Sequence, residues 1–183
     1  TFTALFLLTM VGSLPGALLG QGKYLTNEGN IVFYSHTVLE DITAENNEVA
    51  SVIDAESGEV VIIVEMTAFE FEKKKMQEHF NENYVESDKF PKATFRGNIL
   101  NNTGVKYAVN GVYEVEIQGE MTIHGVTNQV SAGGSVEVTE EGIRAKTKFL
   151  LNPEDYDIKI PGVVRKNIAE NMEIRVDLKH QPI

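Results

Sequence analysis

Between Tyr113 and Phe149 apolar and polar residues alternate through three consecutive runs, and this period of two constrains the fold more than any other feature of the chain. In the first run Tyr113, Val115, Ile117, Gly119, Met121 and Ile123 hold the odd positions, with Glu114, Glu116, Gln118, Glu120 and Thr122 between them. Successive side chains of an extended strand point to opposite faces, so the run is a strand with one wet and one buried face. The second run sets Val130, Ala132, Gly134, Val136 and Val138 against Gln129, Ser131, Ser135 and Glu137. The third sets Ile143, Ala145, Thr147 and Phe149 against Arg144, Lys146 and Lys148. His124-Gly125-Val126-Thr127 and Glu140-Glu141-Gly142 separate the runs, and Asn110-Gly111 before them is the strongest short hairpin signal, because both residues tolerate the positive φ of a type I′ turn. A meander follows.

The rest of the chain supplies further strands and one interruption. Ile31 to His36 is apolar on both parities, and short strands are expected at Val49 to Asp54 and Val60 to Met66, punctuated by Asn46-Asn47 and Glu56-Ser57-Gly58. Phe69 to Ser87 abandons the period of two. Within it Met76 and Phe80 lie four apart among good helix formers, which predicts one short helix. Phe90-Pro91 ends that region, Ala93, Phe95, Gly97 and Ile99 begin the next strand, and Met172, Ile174, Val176 and Leu178 form the last. The irregular stretch from Asn152 to Asn171 is expected at a barrel mouth. Eight or so antiparallel strands and a helix make an all-β fold, either an up-and-down barrel or a sandwich, between which periodicity does not choose.

Acidic residues number 27 against 16 basic, a net charge of -11 that excludes nucleic acid as a partner. Thr1 to Gly20 carries no charge, and its apolar run ahead of Pro15-Gly16-Ala17 resembles a secretory signal with cleavage near Gly20 to Gly22. The expected organisation is a signal segment over residues 1–22 and a β-barrel domain over 23–183, periplasmic or secreted and without stable membrane insertion once cleaved. The absence of cysteine removes a disulfide framework, a thiolate nucleophile and a lipid-attachment site.

Parity nominates Phe33, Phe95, Tyr113, Ile117, Met121, Ile123, Phe149 and Ile174 as lining residues of a pore. Beside them stand small groups, Gly97, Gly119, Ala132, Gly134, Ala145 and Thr147, which together are expected to leave a cavity, although any one glycine equally serves strand curvature. Such a cavity is walled by carbon and suits an apolar chain. No metal, cofactor or enzymatic activity is expected. The four histidines His36, His79, His124 and His180 lack close metal-ligand spacing, and His79 with Glu82 reads as a solvated helix face. His124, at an even position, is expected to face outward and make a structural hydrogen bond at a strand end. Asp155 and Asp157 flank Tyr156 as an acid-base pair in principle, with nothing nearby to tune them.

Three segments carry a family resemblance: Glu78-His79-Phe80-Asn81-Glu82-Asn83-Tyr84-Val85-Glu86-Ser87, then Lys89-Phe90-Pro91-Lys92-Ala93-Thr94-Phe95, then Gly119-Glu120-Met121-Thr122-Ile123-His124-Gly125-Val126-Thr127. In that order they resemble the YceI-like family, over nearly the whole chain after the leader. The resemblance implies a lipocalin-like eight-stranded antiparallel barrel with a helix beside it, periplasmic in many members and homodimeric in several. It also implies a polyisoprenoid lipid, such as an isoprenoid quinone, in the central pore. The expectation is therefore an exported, non-enzymatic protein that sequesters or carries a long isoprenoid or similar lipid. Its rivals are a barrel filled by its own side chains, acting as a structural or interaction module, and a lipid-modifying enzyme using His124 or Asp155.

Overall fold

A computed structural model describes residues 22–183, so the expected leader lies, apart from Gly22, outside the described residues. The elements are β1 (Lys23–His36), β2 (Asp41–Asp54), β3 (Glu59–Glu65), β4 (Glu70–Phe71), α1 (Lys74–His79), β5 (Lys92–Ile99), β6 (Gly111–Ile123), β7 (Val126–Thr139), β8 (Gly142–Leu151) and β9 (Met172–Pro182). A single π turn, Phe80–Tyr84, prolongs α1. The sheet runs β1-β9-β8-β7-β6-β5-β3-β2, with the short β4 on β2, and β1 also pairs with β2. That last pairing closes the sheet, so the sandwich alternative falls and the fold is a lipocalin-like, eight-stranded antiparallel barrel.

Bulges keep apolar residues inside where the sequence pattern slips. On β1 the buried positions pass from Tyr24 and Thr26 to Gly29, Ile31 and Phe33, a change of parity at a register shift between Thr26 and Gly29. Asn46-Asn47 is part of the same irregularity on β2, not the break between strands that its composition suggests. Asn46 is fully buried; its Nδ2 donates to the Glu65 carbonyl at 2.9 Å and its Oδ1 accepts from Glu48 N–H at 2.9 Å, which satisfies the backbone around the extra residue.

The hairpin expected at Asn110-Gly111 is also corrected. Gly111 simply opens β6, and residues 100–110 fold across the barrel end because Val105 and Tyr107 are needed there as a plug. Asn101 carries the ladder past the end of β5, its Nδ2 donating to the Glu114 carbonyl at 3.0 Å and its Oδ1 accepting from Glu116 N–H at 2.9 Å. The type I′ geometry occurs instead at His124-Gly125, with φ of 51° and 76°.

The inward glycines do not enlarge the interior. Gly97 and Gly119 face each other across β5 and β6, and a Cβ on Gly119 would stand 2.4 Å from both the Arg96 carbonyl oxygen and the Gly97 Cα. Their role is close approach of two bent backbones. Gly134 likewise packs against β8, where a Cβ would meet the Lys146 carbonyl oxygen at 2.5 Å.

The barrel has two unlike ends. At the plugged end Tyr24, Ile53, Ile99, Val105, Tyr107, Val115, Val136, Val138 and Ile143 form one buried cluster. Tyr107 stacks on Tyr24 at 5.8 Å and donates to Asn102 Oδ1 at 2.7 Å, and burial pushes its hydroxyl up to about 12. Near this end His180 is 2% exposed, with Nδ1 donating to the Leu178 carbonyl at 3.2 Å and Nε2 accepting from Ser51 Oγ at 3.0 Å. Desolvation lowers its pKa from 6.5 to about 4.

Two outcomes are expected. Gly119→Ala should lower unfolding free energy by about 3 kcal/mol or more in urea titration, because backbone rather than a movable side chain occupies the Cβ site. Gly133→Ala, where a Cβ meets nothing within 4 Å, should stay within about 0.5 kcal/mol. The second concerns pH. Above 6.5 His180 is neutral folded and unfolded, whereas below it the unfolded chain takes up a proton that the folded one refuses until about 4. Stability attributable to His180 is thus lost across that window as pH falls, by about 3 kcal/mol in total. His180→Gln should flatten the fall relative to the parent protein in melts at stepped pH; parallel curves would refute the assignment.

Candidate functional site: an apolar chamber beneath a helical roof

The opposite half of the barrel is hollow. A cavity of about 420 Å³ lies there, within the range of small-molecule sites. Its walls come from Ile31 and Phe33 on β1, Ile62 and Val64 on β3, Phe95 on β5, Ile117, Met121 and Ile123 on β6, Phe149 and Leu151 on β8, and Ile174 and Val176 on β9. Each is an inward residue of its strand, so the alternation of the sequence becomes a hydrocarbon wall.

Packing rather than helix propensity holds the roof in place. No side chain caps the N-terminus of α1, and lysines 73 to 75 at its start oppose the helix dipole. The helical segment is fixed by Phe80, whose ring lies 5.7 Å from Phe33, 5.6 Å from Phe69 and 5.1 Å from Phe71. Phe69 and Phe71 are two apart in extended chain and so share a side. Tyr84 from the π turn and Ile158, Ile160, Val164 and Ile168 from the β8–β9 loop complete the enclosure, which places that loop at the barrel mouth.

Glu40, Asn167 and Ser35 at the mouth are engaged with one another or with neighbouring groups. Glu40 accepts from Lys73 Nζ at 3.3 Å through Oε1 and from Asn167 Nδ2 at 3.1 Å through Oε2, and Ser35 Oγ accepts from Ala169 N–H at 2.8 Å. These bonds join the β1–β2 turn to the roof segment and to the loop.

A second tie is His124. Its side chain is 12% exposed, so it does not face outward with the glutamates; the tight turn swings it inward. The structural hydrogen bond expected of it is doubled: Nε2 lies 3.0 Å from Glu86 Oε2 and Nδ1 lies 3.1 Å from the Tyr156 carbonyl oxygen. Both partners are acceptors, so making both bonds at once requires N–H at both ring nitrogens. The Glu86 carboxyl is held below its ordinary range by hydrogen bonds from Lys89 and then His124. Glu86, His124 and Asp157 are the non-glycine residues with left-handed backbone among the described residues, at φ of 45°, 51° and 56°. All three lie at this junction of roof, turn and loop, where three segments are over-determined by each other.

Of the eight positions nominated by parity, Phe33, Phe95, Ile117, Met121, Ile123, Phe149 and Ile174 line the chamber. Tyr113 does not. It points inward but lies at the plugged end, packed against that cluster with its hydroxyl donating to the Val109 carbonyl at 2.8 Å. The roof residues were missed, because a period of two cannot register aromatics on a short helix; Phe69, Phe71, Phe80 and Tyr84 in one 16-residue stretch were the available signal. His79 and Glu82 are both exposed, His79 also bordering the chamber, and among the described residues no three His, Asp or Glu side chains gather as a metal site. Asp155 and Asp157 contribute turn geometry, the Asp155 carbonyl accepting from Asn128 Nδ2 at 2.8 Å.

A closed antiparallel barrel holding a carbon-walled chamber under a helix defines a lipocalin-like barrel protein. The chain belongs to the YceI-like domain family, whose profile matches residues 24–180. Among solved structures it is similar to a polyisoprenoid binding domain from Saccharophagus degradans implicated in plant cell wall breakdown, at 14% identity and a TM-score of 0.77 over 89% of this chain and 99% of that one. BcnA of Burkholderia cenocepacia follows at 12% identity and a TM-score of 0.67, covering 81% and 94%. The YceI protein of Campylobacter jejuni aligns at 12% identity and a TM-score of 0.56, covering 99% of both. These likenesses concern the fold. No curated protein matches the chain by sequence.

His124→Ala should cost about 1 kcal/mol, since it leaves the Tyr156 carbonyl without its donor while Glu86 keeps Lys89. Hydrogen exchange should quicken at residues 85–87 and 153–158 while the β6–β7 ladder stays protected; uniform loosening of the barrel would argue against a local tie.

Proposed function

We propose that the protein is an exported, non-enzymatic binding protein that sequesters or carries a long apolar isoprenoid or similar lipid, such as an isoprenoid quinone, in the chamber. The observation that carries this reading is the 420 Å³ space walled by hydrocarbon from strands all around the barrel. Burying a chain there yields about 25 cal/mol per Å² of apolar surface without any ionic contact. Membership of the YceI-like family and the likeness to a polyisoprenoid binding domain support the same ligand class. The uncharged leader supports export to the periplasm or beyond. A non-enzymatic role is supported by His124, whose two ring nitrogens are both engaged in holding segments together. The module with a self-filled barrel describes the plugged half only.

Native mass spectrometry of protein from its own host, followed by organic extraction, should reveal a long apolar guest, and the same spectrum reports any homodimer. Affinity for an isoprenoid-tailed benzoquinone should change by less than about twofold from low to high salt, because screening acts on charges and the chamber presents almost none. Met121→Trp, which adds bulk inside, should weaken binding by about tenfold, whereas Glu120→Trp on the outer face of the same strand should not. Protein that neither carries nor takes up lipid would overturn the reading.

A further inference from the structure

The barrel wall is not zipped along its whole height. β7 and β8 pair from Thr139↔Gly142 only as far as Gly134↔Thr147. Yet β7 continues to Val126 along β6, and β8 continues to Leu151 along β9. Above Gly134 the two strands part. Thr147 Oγ1 donates to the Gly133 carbonyl at 2.7 Å, ending the ladder with a side chain, and a Cβ on Gly133 would meet nothing within 4 Å. The wall closes again where Asn128 Nδ2 reaches the Asp155 carbonyl, just beyond the end of β8. Between these two ties lies a window about 16 Å long, the span of residues 129–133 at roughly 3.3 Å each.

The edges of this window carry backbone groups that the fold leaves open. Because the Gly133 carbonyl faces β8, the two-residue period directs the N–H and C=O of Gln129 and Ser131 the same way, and those of Lys148 and Leu150 back toward β7. The register between the two strands ends at Gly134↔Thr147, so the edge groups of Gln129, Ser131 and Leu150 lie beyond the paired length of β7 and β8. Val130, Ala132 and Phe149 lie on the inner side, and Ser131 and Thr147 border the same chamber, so the window opens directly into it.

We propose that the β7–β8 window receives the polar end of the guest, an uncharged head group with hydrogen-bonding oxygen such as a quinone ring or a terminal alcohol, while the hydrocarbon fills the chamber. This rests on the carrier reading. A polar end enclosed by carbon without partners is strongly disfavoured and sits better where donors and acceptors are within reach. At the mouth Glu40, Asn167 and Ser35 already satisfy one another or the backbone, which leaves the Tyr84 hydroxyl and His79 under the roof as the rival polar groups. At the window the side-chain charges are paired, Lys148 with Glu173 at 3.5 Å and Lys146 with Asp177 at 3.7 Å, which leaves main-chain dipoles as the recognising groups. Dipoles of both senses suit a neutral oxygen ligand better than an anion.

The chain contains no tryptophan, so a single introduced indole reports position. Leu150→Trp marks the outer edge of the window, replacing a side chain 68% exposed, and Val38→Trp marks the mouth, replacing one 99% exposed. A benzoquinone carrying a polyisoprenoid tail quenches nearby indole fluorescence. Quenching should be several-fold stronger in Leu150→Trp than in Val38→Trp. In addition, Ser131→Pro removes one edge donor at a position beyond the paired length of β7 and β8. It should weaken quinone binding about fivefold while leaving a polyisoprenoid hydrocarbon of the same tail unaffected. Retained quinone that quenches only at Val38→Trp, or at neither site, overturns the window assignment while the carrier reading stands. Failure of all variants and of the parent protein to retain either probe defeats both.

Discussion

Closure of eight strands fixes a cross-section, and everything distinctive here follows from how unevenly that cross-section is filled. β1 pairs with both β2 and β9, so the sheet closes on itself and the interior has to be occupied by side chains or by a guest. At one end Tyr24, Tyr107 and their neighbours fill it as one buried cluster. At the other the side chains stay against the wall and an aromatic roof spans the space, supported by Phe33 from below.

The strands, their faces and their consecutive order were legible in the sequence because alternation is imposed at every residue of a two-faced strand. Seven of the nominated residues line the chamber for that reason. Tyr113 fails because parity reports which face a residue occupies and says nothing of height along the barrel. Asn110-Gly111 fails because local turn preference competes with the need to cover the barrel end, and burial of Val105 and Tyr107 wins. Gly97 and Gly119 look like empty volume in a sequence and prove to be contact points between backbones. The parting of β7 from β8 has no local signature at all, since a strand reads the same whether one or both of its edges are paired.

The polar groups show a consistent division of labour. Asn46, Asn101 and His124 each satisfy backbone or carboxylate groups at places where the regular ladder is interrupted, and none of them is directed at the chamber. The chamber is left to carbon, and the roof over it hangs on a few specific ties: Glu40 to Lys73 and Asn167 on one side, His124 to Glu86 and Tyr156 on the other. A short, uncapped helix supported in this way belongs to the less stable part of the molecule, while the ladders beneath it hold the frame.

The plug at the far end has a consequence for selectivity. Below Met121 and Ile117 lies the buried layer of Val115, Val136 and Tyr107, so on the carrier reading the floor sets how deep a chain can reach. Hydrocarbon walls distinguish poorly between one apolar chain and another, but a fixed depth distinguishes chains by the number of units they contain. Tails that reach the floor fill the space, shorter ones leave part of the wall without contacts, and longer ones must double back. On the carrier reading, residues outside the chamber's own walls would thus set the length of its cargo.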